Sequence, residues 1–213
     1  MRIDVWSDVV CPWCYIGKRQ LDRAIEMFTA ASDVEVEVVF RSFELDPNGP
    51  RRREGEYVAR LAKKYGTDRD GAQAMIDRMV SAGAGAGVEL RFDIAQPGNS
   101  FDAHRVLHLA RDLGRQVEVK ERLLRAVFTE GEPIGDPHAV ARLAVDAGLP
   151  EDRVVEVLSS GEYGLEVRQD EVEAAELGIT GVPFMVVDRS YAIRGAQPAE
   201  AILSALQQAR SAA

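Results

Sequence analysis

β structure is legible only at the two ends of this chain, and that narrows the folds open to it more than any other feature. Arg2 to Trp6 (RIDVW) alternates and carries Ile, Val and Trp, and Val34 to Leu45 (VEVEVVFRSFEL) alternates over a longer run, so both read as strands. Between them, from Trp13 to about Ala30, Ile16, Leu21, Ala24, Ile25 and Phe28 recur at helical spacing. The turn residues Asp46-Pro47-Asn48-Gly49-Pro50 end the second strand. Helical patterning then runs through Glu56–Tyr65, Gly71–Ala82, Ser100–Leu113, Glu118–Phe128, His138–Ala147, Glu151–Leu158 and Tyr163–Leu177. Strands return at Val182–Val187 (VPFMVV) and Tyr191–Arg194 (YAIR), joined by a tight turn at Asp188–Ser190. A helix from Pro198 to about Arg210 closes the chain, with Pro at its first turn.

With the long helical block set aside, the order is β-α-β followed by α-β-β-α. That is the thioredoxin plan, in which strands from both ends of a chain share one sheet. At 213 residues the chain is long enough to bury roughly 70% of its unfolded surface, so a core without staples is expected.

Only two cysteines are present, Cys11 and Cys14, spaced Cys-Pro-Trp-Cys directly after the first strand and at a helix start. A disulfide exchanger needs one accessible thiolate and a second thiol able to close onto the same sulfur. At the cap position, unpaired N–H groups and the helix dipole favour a Cys11 anion, while Cys14 lies one turn on and more buried. Cys11 is therefore the expected attacking nucleophile, Cys14 the resolving thiol, and Pro12 the residue that starts the helix. A zinc site would need further ligands, and no second cysteine pair exists. The other signal is Gly178-Ile179-Thr180-Gly181-Val182-Pro183-Phe184: a cis Val182–Pro183 bond would present the Val182 backbone to an extended substrate beside the thiols.

Ser7-Asp8-Val9-Val10-Cys11-Pro12-Trp13-Cys14-Tyr15-Ile16-Gly17, Phe40-Arg41-Ser42-Phe43-Glu44-Leu45 and Thr180-Gly181-Val182-Pro183-Phe184 resemble the DsbA family. Asn99-Ser100-Phe101-Asp102-Ala103-His104-Arg105 and Gly195-Ala196-Gln197-Pro198 are similar to its FrnE-like branch of cytoplasmic, predicted dithiol–disulfide isomerases. The resemblance runs essentially end to end. It implies an α/β thioredoxin fold with a large all-helical insertion: residues 1–48 and 162–213 as the thioredoxin-like domain, 49–161 as a helical domain capping the active site. It also implies Cys11 as nucleophile and Pro183 in cis, with Pro12, Trp13, Val182 and Phe184 on the substrate side. The family's oxidant members carry His between the cysteines. Trp13 supplies no positive charge there, so a less oxidising couple is expected.

In related kappa-class glutathione transferases and hydroxychromene-carboxylate isomerases the insertion helps form a small-molecule pocket. That makes Asn99 and His104 candidate neighbours of the active site, although Asn99 and Ser100 are equally suited to capping the helix that follows. His104 and His108, four apart, have a metal-compatible spacing but no evident third ligand, so no metal is expected. No cofactor is expected beyond a Cys11–Cys14 disulfide, with glutathione or another small thiol as a co-substrate.

The net charge of −9 argues against nucleic-acid and anionic-membrane partners. The expected partners are disulfide-containing proteins or small thiols and a thiol redox partner. Arg51-Arg52-Arg53 reads as a solvated loop and Gly83-Ala84-Gly85-Ala86-Gly87 as a flexible connector. Acids at Asp4 and Asp8 interrupt any secretory apolar stretch at the start, so a cytoplasmic location is expected. Two rival functions remain open: glutathione-dependent isomerisation or conjugation of an aromatic metabolite, whose enzymes usually have Ser in place of the first cysteine, and a redox-sensing chaperone module.

Overall fold

Five of the six residues of the first strand, β1 (Arg2–Ser7), are buried, which is the signature of a strand covered on both faces. β1 pairs in parallel with β2 (Glu37–Ser42), from Arg2↔Glu37 to Ser7↔Ser42, and antiparallel with β3 (Phe184–Val187), which pairs in turn with β4 (Tyr191–Arg194). The sheet order is β2-β1-β3-β4, so the two ends of the sequence meet at its centre. The computed structural model describes residues 1–212.

The alternation of β1 sorts its neighbours. Ile3 and Val5 join Leu21, Phe28, Met185, Val187, Ile202 and Leu206 in a core shared with α1 (Pro12–Ala30) and α9 (Ala199–Ser211). Trp6 belongs to a smaller cluster with Phe184, Ile179 and Ala174, the last on α8 (Gly164–Glu176), where its indole N–H donates to the Asp170 carbonyl at 3.0 Å.

The segment between β2 and β3 is helical: α2 (Tyr57–Tyr65), α3 (Arg69–Gly85), α4 (Phe101–Asp112), α5 (Gln116–Arg125), α6 (Pro137–Asp146), α7 (Glu151–Ser159) and α8. Its own core includes Leu107, Leu123, Val127, Phe128, Ile134, Leu143 and Val157, and it reaches Val9, Tyr15 and Ile16 at the start of α1. One helix thus belongs to both cores, with its first turn in the helical one and its middle in the sheet. β2 is an edge strand, and the helices satisfy its free groups. The Gln116 side chain accepts from Phe40 N–H at 2.8 Å and donates to Phe40 C=O at 2.9 Å, while Asp170 accepts from Ser42 N–H at 2.8 Å.

Two expectations need correction. The strand read over Val34–Leu45 is half as long, because its partner β1 has only six residues to pair with. Gly83–Gly87 is no flexible connector: α3 runs through Gly85, and a Cβ on Gly83 would lie 3.0 Å from Leu90 Cδ1, so glycine there admits the returning chain. The arginine segment is an exposed loop, as expected, and its backbone is also held in place. A Cβ on Gly98 or Gly135 would fall within about 2 Å of the Arg51 carbonyl oxygen.

Candidate active site

Cys11 caps α1 in an extended conformation, and its carbonyl accepts from Cys14 N–H at 3.0 Å as the first turn closes. The two cysteines are free thiols that approach to 3.5 Å. Facing them, the Val182–Pro183 bond is cis, and the Cys11 thiol donates to the Val182 carbonyl at 3.7 Å. Gly17 makes this approach possible: a Cβ there would stand 2.8 Å from Pro183 Cγ. A glycine inside a helix costs about 1 kcal/mol relative to alanine, so its placement one turn after Cys14 has a packing reason.

Cys11 was expected to be the accessible sulfur and the favoured anion; in the dithiol both sulfurs are buried, and the surroundings favour the anion at Cys14. Cys11 is only 5% exposed, close to the 2% of Cys14, whereas Trp13 between them is 40% exposed. The hydrogen bond with Cys14, burial and the nearby Asp8 carboxylate hold the Cys11 thiol well above its ordinary range. At Cys14 burial also opposes the anion, but the bond from Cys11 and the Lys120 ammonium outweigh it, and its pKa falls below the usual value. The pair therefore shares one ionisation, with the remaining proton on the Cys11 side.

Beneath the pair lies a buried polar cluster. The fully buried Asp8 carboxylate accepts from Leu45 N–H at 2.8 Å, from Val10 N–H at 3.3 Å and from His104 Nε2 at 3.3 Å. Burial works against the Asp8 anion, but His104, Leu45 N–H and Ser100 together hold its pKa below the carboxylate norm. Burial lowers that of His104. Lys120 on α5 is fully buried, its ammonium donates to Ser7 C=O at 3.3 Å, and burial brings its pKa down to about 8. Glu44, after β2, has a fully buried side chain. Arg168 meets one carboxylate oxygen at 2.5 Å, the other oxygen has no partner, and burial raises the pKa to about 7. Burial, then the proximity of Cys11, raises the pKa of Tyr57 on α2.

Cys11, Cys14, Pro12, Trp13, Val182 and Pro183 thus converge at the start of α1. His104 reaches them only through Asp8, and it is 1% exposed. Asn99 bonds Pro47 C=O at 3.2 Å and Phe101 N–H at 3.0 Å, tying the turn after β2 to the start of α4; Ser100 makes no capping bond through its side chain. Phe184 is 8% exposed and packs beside Trp6 in the core rather than facing outward. His104 and His108 address different carboxylates, Asp8 and Asp170, and the described residues hold no cluster of three or more His, Cys, Asp or Glu suited to a metal. No helix among them is long and apolar enough to cross a membrane.

The model of the DSBA-like thioredoxin domain matches residues 2–207. The chain belongs to that family. It is 30% identical over 190 residues to the uncharacterized protein YwbO of Bacillus subtilis, covering 88% of this chain and 86% of that one. The crystal structure of a probable DsbA oxidoreductase, SCO1869 from Streptomyces coelicolor, is 42% identical with a TM-score of 0.92, covering 99% of this chain and 90% of that one. The cytosolic disulfide reductase DsbM from Pseudomonas aeruginosa shares the fold at 14% identity and a TM-score of 0.66, covering 99% and 96%. The family is one of thiol–disulfide oxidoreductases on a thioredoxin fold with a helical insertion.

Sequence reasoning missed Lys120, Glu44 and the roles of Gly17 and Asp8. Gly17 left a signal, being a glycine inside an apolar-periodic helix. Lys120 left none, because a lysine in an amphipathic helix reads as solvent-facing.

Proposed function

We propose that this protein exchanges disulfides with protein or small-thiol substrates through Cys11 and Cys14, as a reductase or isomerase. The observation that carries the reading is a pair of free thiols 3.5 Å apart at a helix start, beside a cis Val182–Pro183 bond. Cys11 passes its proton to the Cys14 side and attacks a substrate disulfide. One S–S bond forms, the substrate S–S bond breaks, and the first substrate sulfur leaves with the electron pair and takes a proton. Cys14 then attacks Cys11 in the mixed disulfide, releasing the second substrate thiol and leaving the Cys11–Cys14 disulfide. An external thiol such as glutathione restores the dithiol. A substrate strand pairing with the Val182 backbone would take over the carbonyl that now accepts from Cys11 and free that thiol for attack. Trp13 supplies the apolar contact beside it, while Pro12 is buried under the helix start.

We assign residues 1–48 and 162–213 to the thioredoxin part and 49–161 to the helical insertion, and place the protein in the cytoplasm, a reducing setting that suits a chain with no structural cysteines. The test is the equilibrium reduction potential of the pair in defined thiol buffers, read by alkylation. A reversible disulfide that Cys11→Ser abolishes, together with all exchange activity, is the expected result. A pair that never forms a disulfide, or exchange that survives in Cys11→Ser, overturns the reading.

A further inference from the structure

The exchange cycle uses two sulfurs and one backbone segment, and it leaves a buried charge unexplained. α5, which packs against β2, α1, α4 and α6, places Lys120 wholly out of solvent. Its ammonium donates to one neutral acceptor, the Ser7 carbonyl at 3.3 Å, and stands 5.5 Å from the centre of the Phe40 ring. Among the described residues no carboxylate lies within ion-pair distance of it. The charged and titratable groups that face it are Cys14, Asp8, Cys11 and Lys18, with His104 from α4. Asp8 is already committed to His104 and two backbone N–H groups. A buried cation without its own anion costs several kcal/mol, and such a site persists where a partner charge exists in some state of the protein. Here that partner is a sulfur: Cys14 is the strongest of the charges that hold the Lys120 proton on.

We propose that Lys120 is the counter-ion of the Cys11–Cys14 thiolate, setting the reduction potential of the pair and taking up a proton when the pair is reduced. This rests on the redox reading above. The step balances. An external dithiol gives two electrons and two protons, its own disulfide forms, and the Cys11–Cys14 S–S bond breaks. One proton stays as a thiol hydrogen on the pair, and the other converts the Lys120 amine to an ammonium facing the thiolate. Because the coupling is reciprocal, whatever the ammonium does for the thiolate the thiolate does for the ammonium. Lys120 acts here as a positioning residue, through the sulfurs.

The test compares wild type with Lys120→Met, read by thiolate absorbance against pH and by equilibrium with defined thiol buffers. Removing the cation is expected to lower the thiolate fraction at neutral pH about tenfold, since a nearby opposite charge moves a pKa by one to three units. It should also shift the redox equilibrium about tenfold toward the disulfide, roughly 30 mV more reducing. Lys120→Arg, keeping the charge, should recover part of both. Should the variants fail to fold, the wild-type protein suffices: the Lys120 side-chain resonance is expected to titrate at higher pH in the dithiol than in the disulfide form. A thiolate titration and potential unchanged in Lys120→Met, or one lysine midpoint in both redox states, overturns the inference while leaving the exchange reading intact. A wild-type pair that forms no reversible disulfide overturns both.

Discussion

Two lysines are buried where α1 and α5 meet, and they are held in opposite ways. Lys18 on α1 is 4% exposed, but its ammonium pairs with Asp22 at 2.7 Å and Glu121 at 3.0 Å. Lys120, adjacent in sequence to that same Glu121, is fully buried and has a single carbonyl at 3.3 Å. The first region carries its own carboxylate partners within ion-pair distance. The second faces two sulfurs whose charge depends on redox state. A buried cation satisfied at home serves stability, and a buried cation lacking a fixed anion serves the group that can become one. The outward side of the α1–α5 contact is therefore structural, while the side toward the cysteines is tied to the chemistry.

The sharpest way to break that contrast is at Asp8, a buried carboxylate beside the thiols. Asp8→Ala strands His104 and the Leu45 N–H in the interior, and a stability loss of about 3 kcal/mol or more is expected by denaturant unfolding. The same change removes a charge that opposes the Cys11 anion, so the pair should become more oxidising, opposite to Lys120→Met. A shift in the same direction for both variants would dissolve the electrostatic account. Lys18→Met comes next: its carboxylate partners are partly exposed, so a loss of about 1 kcal/mol is expected, with a smaller change in potential than Lys120→Met gives in the thiol-buffer assay. A potential that moved with Lys18 as it does with Lys120 would erase the distinction between the two regions.

A purely pH-dependent effect is expected at Glu44, whose pKa is raised to about 7 from 4.5. The folded state binds this proton more tightly than the unfolded chain. The resulting stability is fully present below about pH 4.5 and lost as pH rises through 7. Glu44→Gln should therefore melt relatively higher than wild type at pH 8 than at pH 5, by thermal unfolding at the two values. An equal difference at both would place the Glu44 proton elsewhere.

The order of elements, the Cys-Pro-Trp-Cys turn at the head of α1 and the late Val-Pro were legible because each is written in neighbouring residues: alternation, helical recurrence, turn chemistry, a spacing of one helical turn. The lengths of the strands were less so. The run Val34–Leu45 alternates well past the point where β1 can pair with it, and pairing length belongs to both strands. Phe184 next to Pro183 read as substrate-facing, yet its partner in register is Trp6, which places it in the core.

By itself the sequence determined that a thioredoxin-type sheet would form from the two ends of the chain, and that two cysteines one helical turn apart would stand at a helix start. Only the tertiary structure decided which charges surround those sulfurs. Asp8, Glu44, His104 and Lys120 lie on four separate elements or connections of the chain, and none bears a local mark of burial. The cost of a buried charge depends on what the rest of the fold brings within a few ångströms of it. That is why the pair's nucleophiles could be read from the sequence, while the balance of protons between them could not.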